Sequence, residues 1–69
     1  MQSSNSNILK GKVVKVVEGA VDCEVTLEIA PGVEIVGTIT RTSARLLELA
    51  EGKIAFAVIK ASSVMVAVD

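Results

Sequence analysis

The stretch VDCEVTLEIAPGVEIVGTIT, residues 21–40, predicts the core architecture of this chain. Its first half alternates apolar and polar residues without a fault, the pattern of a half-buried β-strand. Pro31-Gly32 predicts a tight turn. The apolar residues then continue at every second position through Val33–Thr40. We therefore expect a β-hairpin, with Cys23 in the buried phase of its first strand.

The residues that precede the hairpin predict one further strand. Leu9–Val17 is rich in β-branched residues, but its alternation changes phase near Val13 and Val14. Such a change indicates either a β-bulge or a strand buried on both faces. Met1–Asn7 is a polar segment of Ser and Asn, and taken alone it predicts a disordered tail.

The residues that follow the hairpin predict a short helix and two strands. Thr42 or Ser43 can cap a helix of about two turns, with Gly52 as its C-terminal glycine. Ile54–Val58 and Val64–Val68 then alternate as strands. This order predicts an all-β, OB-like five-stranded barrel with one short helix between strands 3 and 4. An open five-stranded sheet has the same order. We expect residues 1–69 to form a single domain.

The small size of the chain predicts that it associates with other chains. Sixty-nine residues bury a marginal core, and a single cysteine without histidine excludes an internal disulfide and the usual zinc sites. Both faces of the last two strands are apolar, which predicts a partner surface and hence a homo-oligomer. The alternative is a barrel whose second face is covered by the helix and the N-terminal segment.

Charge and composition exclude several classes of function. Seven basic and eight acidic residues give a net charge of −1, and Phe56 is the only aromatic residue, which argues against a nucleic-acid binder. A polar N-terminus without a long apolar run argues against a signal peptide or membrane span, and the unpaired Cys23 is typical of a cytoplasmic protein. Without histidine or a metal-ligand set, we expect no catalytic residues, no catalytic cofactor and no enzyme.

Small hydroxyl and amide side chains near a lysine remain as candidates for chemistry. Hydroxyls and free backbone N–H groups beside one ammonium group are the donors that a small oxyanion site uses. The same side chains also cap turns and helices without binding a ligand. Three groups qualify: Ser3–Asn7; Thr40, Thr42 and Ser43; and Lys60–Ser63.

Several runs of the sequence carry a family resemblance. They include NILKGKVV at residues 7–14, EGAV at residues 18–21 and AVIKASSVM at residues 57–65. In order and spacing the chain resembles, from Ser4 to Val68, the Mop or molbindin type of small molybdate-binding protein. The same module occurs as the TOBE domain of molybdate-dependent regulators and transporter subunits.

The resemblance implies an OB-like five-stranded fold and assembly into hexamers that are trimers of dimers. It also implies reversible binding of molybdate, and often of tungstate, at subunit interfaces, for intracellular storage or homeostasis in the cytoplasm. Two rival interpretations are an oligomeric interaction module with lost or altered oxyanion binding and an OB-type nucleic-acid binder.

The resemblance also implies which residues bind the oxyanion. Ser4 and Asn7 match the family stretch before the first strand, whereas Ser6 stands where the family has an arginine. No residue is expected to ligate a metal atom directly. The candidates are Ser4, Asn5, Ser6, Asn7, Thr40, Ser43, Lys60, Ala61 and Ser62, with Gly19, Ala20 and Ser63 as weaker ones.

Overall fold

A computed structural model of the chain describes residues 5–69. The described chain forms a curled antiparallel sheet with one short α-helix, and the strand order is β3-β2-β1-β4. The elements are β1 (Ser6–Glu18), β2 (Asp22–Ala30), β3 (Val33–Thr40), α1 (Arg41–Leu46), β4 (Ile54–Lys60) and the 3₁₀ turn η1 (Ala61–Ser63). The OB-like fold expected from the sequence is confirmed, with four strands in place of five.

The predicted hairpin is present as β2 and β3. Two residues connect the strands, and Gly32 has a φ of 74°, a backbone conformation that glycine adopts without steric cost. Cys23, Val25 and Leu27 of β2 are buried, whereas Asp22 and Glu24 on the other face are exposed. The face of β2 that packs against the core is therefore the one that the alternation predicted. Cys23 on this face is a buried free thiol.

The irregularity in β1 is a β-bulge. Val13 pairs with Leu27 and Lys15 pairs with Thr26, so Val14 is an extra residue without an opposite partner. Val13 is fully buried, and the bulge shifts the phase so that Val16 also packs against the core cluster of Val13, Val25 and Leu27. Of the two predicted explanations for the phase change, the bulge is the one observed.

Strand β1 begins earlier than expected. Ser6 and Asn7 belong to β1, where they pair with Lys60 and Ile59 of β4, so the prediction of a disordered tail is wrong for these two residues. Polar side chains are tolerated there because the backbone completes a ladder while the side chains stay near solvent at the end of the strand. The residues before Asn5 lie outside the described part of the chain.

The helix begins and ends earlier than predicted. Thr40 is its N-cap, and helical residues end at Leu46. The N–H of Glu48 bonds to Arg45 O at 3.0 Å and that of Leu49 to Ala44 O at 3.1 Å, which together form a Schellman motif. Glu48, with a φ of 53°, takes the left-handed position that the sequence suggested for Gly52. The local hydrogen bonds, and not the nearest glycine, end the helix.

The predicted fifth strand does not form within the described chain. Val64–Val68 follow η1 outside any strand, and Met65, Val66 and Val68 are 94%, 89% and 93% exposed. The alternation of valines predicts a strand, but a strand also needs a neighbouring edge for its hydrogen bonds. After η1 these residues pair with neither edge of their own sheet.

No helix in residues 5–69 has the length and apolar character needed to cross a membrane.

Candidate functional site

Five of the twelve predicted oxyanion residues meet at one end of the sheet. Ser6 of β1 is the register partner of Lys60 of β4, and the Ala61 N–H donates to Asn5 O at 2.9 Å. A cavity of about 460 Å³ lies beside these contacts. We call this site the Lys60 corner; it is lined by Asn5, Ser6, Lys60, Ala61 and Ser62.

The chemistry of the Lys60 corner favours an anion. Its lining contains one ammonium group, two serine hydroxyls and no carboxylate. Ala61 opens the turn η1, and the start of a helical turn leaves N–H groups without partners inside the turn. Since the Ala61 N–H is already bonded to Asn5, the Ser62 N–H is the backbone donor that this turn offers. An anion in the cavity would therefore meet a cation, hydroxyls and a backbone amide.

Three predicted residues relate differently to the Lys60 corner. Asn7 follows Ser6 in β1, so its side chain lies on the opposite face of the sheet, where Nδ2 is 3.4 Å from Ile59 O. Ser63 ends η1 and does not line the cavity. Ser4 lies outside the described residues.

The other candidates form a second group at the opposite end of β1. Thr40 pairs with Asp22 at the start of β2, close to the turn that follows Glu18, and the Arg41 N–H donates to Val21 O at 2.7 Å. We call this group the helix-start cluster. Its members are Gly19, Ala20, Thr40, Arg41 and Ser43.

Local structure already uses many donors of the helix-start cluster. The Thr40 hydroxyl donates to Ser43 Oγ at 2.8 Å and accepts from the Ser43 N–H at 3.1 Å. The Gly19 N–H bonds to Asp22 O at 2.7 Å. A Cβ at Gly19 would lie 2.8 Å from that same oxygen, so the tight turn accounts for the glycine. The Ser43 hydroxyl proton, which is not used by Thr40, remains able to donate.

Sequence reasoning missed Arg41. Its Nε lies 3.3 Å from Glu18 Oε1, near enough for charge attraction but not aligned for a hydrogen bond. This guanidinium is the cation of the helix-start cluster, and its position directly after Thr40 was the available signal. Because Glu18 partly neutralises it, the helix-start cluster is a less favourable anion site than the Lys60 corner.

Metal ligation and nucleophilic chemistry find no support among residues 5–69. No three His, Cys, Asp or Glu side chains in that range lie close enough together to hold a metal ion. Cys23 is fully buried beneath the sheet surface.

Comparisons with known proteins give consistent similarities. A family described as the TOBE domain matches residues 3–66. A probable molybdenum-pterin-binding protein from Haemophilus influenzae is 42% identical over 69 residues, which cover all of both chains. The structure of MopII from Clostridium pasteurianum has a TM-score of 0.88 and 40% identity, and the match covers 99% of this chain and 98% of that one.

A third similarity is to a structure with bound ligand. The cytoplasmic molybdate-binding protein ModG, solved with molybdate bound, matches with a TM-score of 0.82 and 46% identity. The match covers 86% of this chain and 42% of the ModG chain.

Proposed function

This chain belongs to the TOBE domain family, and on that premise we propose that it binds molybdate reversibly, and tungstate as well. The observation that carries the proposal is the Lys60 corner, a cavity with an ammonium group, hydroxyls and no carboxylate. Its ligand class agrees with the names of similar proteins, one of which was solved with molybdate bound.

The binding mechanism is desolvation balanced by hydrogen bonding, with no covalent step. A tetrahedral dianion loses hydration on entry, and this loss is costly unless donors replace the water. Hydrogen bonds with a charged partner contribute a net of about 1.5–3 kcal/mol each after their exchange with water, so Lys60, Ser6 and Ser62 would each add to the affinity. Sulfate is smaller than molybdate, so the spacing of these donors is the basis on which the site would discriminate between them.

The complete site is proposed to lie between subunits. The Lys60 corner and the helix-start cluster lie at opposite ends of the 13-residue strand β1, so one chain cannot close both groups around one ion. Ser6 and Lys60 also share the outer face of the sheet with Phe56 and Val58, whose exposures are 47% and 59%. A second copy that covers this apolar stripe would place the Lys60 corner at the interface.

The biological role proposed is storage or homeostasis of the oxyanion by a cytoplasmic homo-oligomer, expected to be a hexamer. Exposed apolar side chains on β3, β4 and the C-terminal residues support association. The description of ModG as cytoplasmic supports the compartment. The proposed single domain is a binding protein and not an enzyme, consistent with relatives that are named for binding.

Ser6 favours one alternative, an interaction module that has lost or altered oxyanion binding. The resemblance places an arginine at this position, and serine lacks both the fixed charge and the planar donor fork of arginine. In this alternative the assembly persists while the Lys60 corner stays empty or binds a different anion.

Native mass spectrometry of the purified chain with molybdate, tungstate or sulfate tests the proposal. We expect a six-chain mass that gains several molybdate or tungstate ions but no sulfate. An oligomer that gains no oxyanion would favour the interaction module. A single-chain mass near 7.2 kDa at micromolar concentration would contradict the oligomeric site itself.

A further inference from the structure

Glu18 and Arg41 form the only ion pair among residues 5–69. Glu18 ends β1 and Arg41 begins α1, and the turn between β1 and β2 holds both. The Gly19 N–H bonds to Asp22 O at 2.7 Å and closes this turn. The Arg41 N–H bonds to Val21 O of the same turn, also at 2.7 Å. Because both main chains are fixed, the contact can be made or broken by the side chains alone.

The contact with Glu18 leaves the Arg41 guanidinium incompletely satisfied. Its Nε lies 3.3 Å from Glu18 Oε1, yet this buried nitrogen has no hydrogen-bond partner within residues 5–69. The Arg41 and Glu18 side chains are 40% and 55% exposed, and ion pairs this open to water stabilise a fold weakly. A buried donor without an acceptor is also unfavourable. An anion that aligns an oxygen with Nε is therefore a better partner for Arg41 than Glu18 is.

A cavity beside Glu18 contains a second guanidinium group. The cavity has a volume of about 330 Å³ and is lined by residues of β1, β2, α1 and the segment after the helix. Glu18 and Arg45 both line it, together with the buried Cys23 and Ala44. Arg45 makes no ion pair within residues 5–69. The Glu18 carboxylate can therefore turn from Arg41 into this cavity and find another cation there.

Glu48 is the remaining charged residue that lines this cavity. Its carboxylate repels that of Glu18, and this repulsion favours the contact between Glu18 and Arg41 as long as no anion is bound. A tetrahedral dianion carries twice the charge of a carboxylate, so it attracts Arg41 more strongly than Glu18 does.

We propose that Glu18 is a switch between two guanidinium groups. Without a ligand, its carboxylate occupies Arg41. An oxyanion that binds Arg41 displaces the carboxylate, which turns towards Arg45. The inference rests on the proposed binding of an oxyanion, and it adds a residue that regulates this binding by competing with the ligand.

Calorimetry of molybdate binding to two charge variants gives the first test. Glu18→Gln removes the competing charge and keeps the shape of the side chain, and we expect it to bind molybdate about fivefold more tightly. Glu34→Gln is the matched control, because it removes the same charge from an exposed position on β3 that pairs with the far end of β2. If Glu18→Gln binds no more tightly than Glu34→Gln, the inference is overturned.

Arg45→Gln tests the second partner of Glu18. In the native background, we expect it to weaken molybdate binding about threefold, because the displaced carboxylate loses its alternative cation. In the Glu18→Gln background, it should change the affinity little, since no carboxylate has to be received. An equal loss in both backgrounds would overturn the switch, because Arg45 would then act by general charge and not through Glu18.

Nuclear magnetic resonance of the native protein keeps the inference testable should a variant fail to fold. Arg41 and Arg45 are the only arginines, so the chain has two Nε–H groups. On titration with molybdate, we expect both Nε–H signals to shift together with the Ser62 amide signal of the Lys60 corner.

The same titration separates this inference from the proposed function. A shift at Ser62 without shifts at both arginines would overturn the switch and retain the Lys60 corner as the binding site. Shifts at both arginines without one at Ser62 would retain the switch and overturn the Lys60 corner. No shift at any of the three would overturn both.

Discussion

Ser6 lies directly opposite Lys60 in the antiparallel pair of β1 and β4. Residues paired in this way project to the same face of a sheet with their Cβ atoms about 5 Å apart. The pairing therefore brings a hydroxyl and an ammonium group to one cavity, with η1 supplying Ala61 and Ser62 beside them. The first predictions concern these two side chains.

Lys60→Ala should weaken molybdate binding roughly 10- to 100-fold, because it removes one charged hydrogen bond of about 1.5–3 kcal/mol. Isothermal titration calorimetry measures the change. Lys15→Ala is the control, since it removes the same charge from an exposed site on β1 away from the cavity. Equal affinity of the Lys60→Ala and native proteins would remove Lys60 from the site.

Ser6→Arg should strengthen molybdate binding by about tenfold or more, because a guanidinium adds charge and a fork of donors to the cavity lining. Asn7→Arg adds the same charge on the opposite face of β1 and should change the affinity little. Competition between molybdate and sulfate, followed by calorimetry, compares both variants. If Asn7→Arg strengthens binding as much as Ser6→Arg, the effect is general electrostatics and not a contact at position 6.

Thr40→Ala should lower the free energy of unfolding by about 1 kcal/mol, because the N–H of Ser43 loses its capping acceptor. Thr40→Ser keeps the hydroxyl and should retain most of the stability. Urea denaturation followed by circular dichroism at fixed chain concentration gives both values. A loss of the same size in Thr40→Ser would point to the lost methyl group and not to the cap.

Glu48→Gly should raise the free energy of unfolding by about 1 kcal/mol, because it relieves a left-handed backbone conformation at a residue with a Cβ. For a domain of this size, that change corresponds to about 4–8 °C in Tm. Glu48→Gln removes the same charge but keeps the Cβ, so its Tm should stay near that of the native protein. An increase in both variants would assign the gain to charge.

The sequence predicted the elements whose signal is local. Alternation from Val21 to Ile39 indicated β2 and β3, Pro31-Gly32 indicated their turn, and the phase change near Val13 indicated the bulge. The sequence placed the helix end at Gly52, because glycine is the usual residue in the left-handed position of a Schellman motif. In the structure Glu48 takes that position, and the hydrogen bonds of the motif form without a glycine. Arg41 was missed because its contact with Glu18 joins the start of α1 to the end of β1, two positions that are far apart in the sequence.

The sequence by itself determined the predominantly β character, the buried phase of β2 and, through family resemblance, the residues considered for an oxyanion. Only the tertiary structure decided that Ser6 faces Lys60, that Thr40 and Ser43 lie at the far end of β1, and that Val64–Val68 finds no edge in its own chain. The reason is physical: side-chain periodicity is set by neighbours along the chain. Strand pairing instead depends on how the whole sheet curls and on which backbone edges remain open.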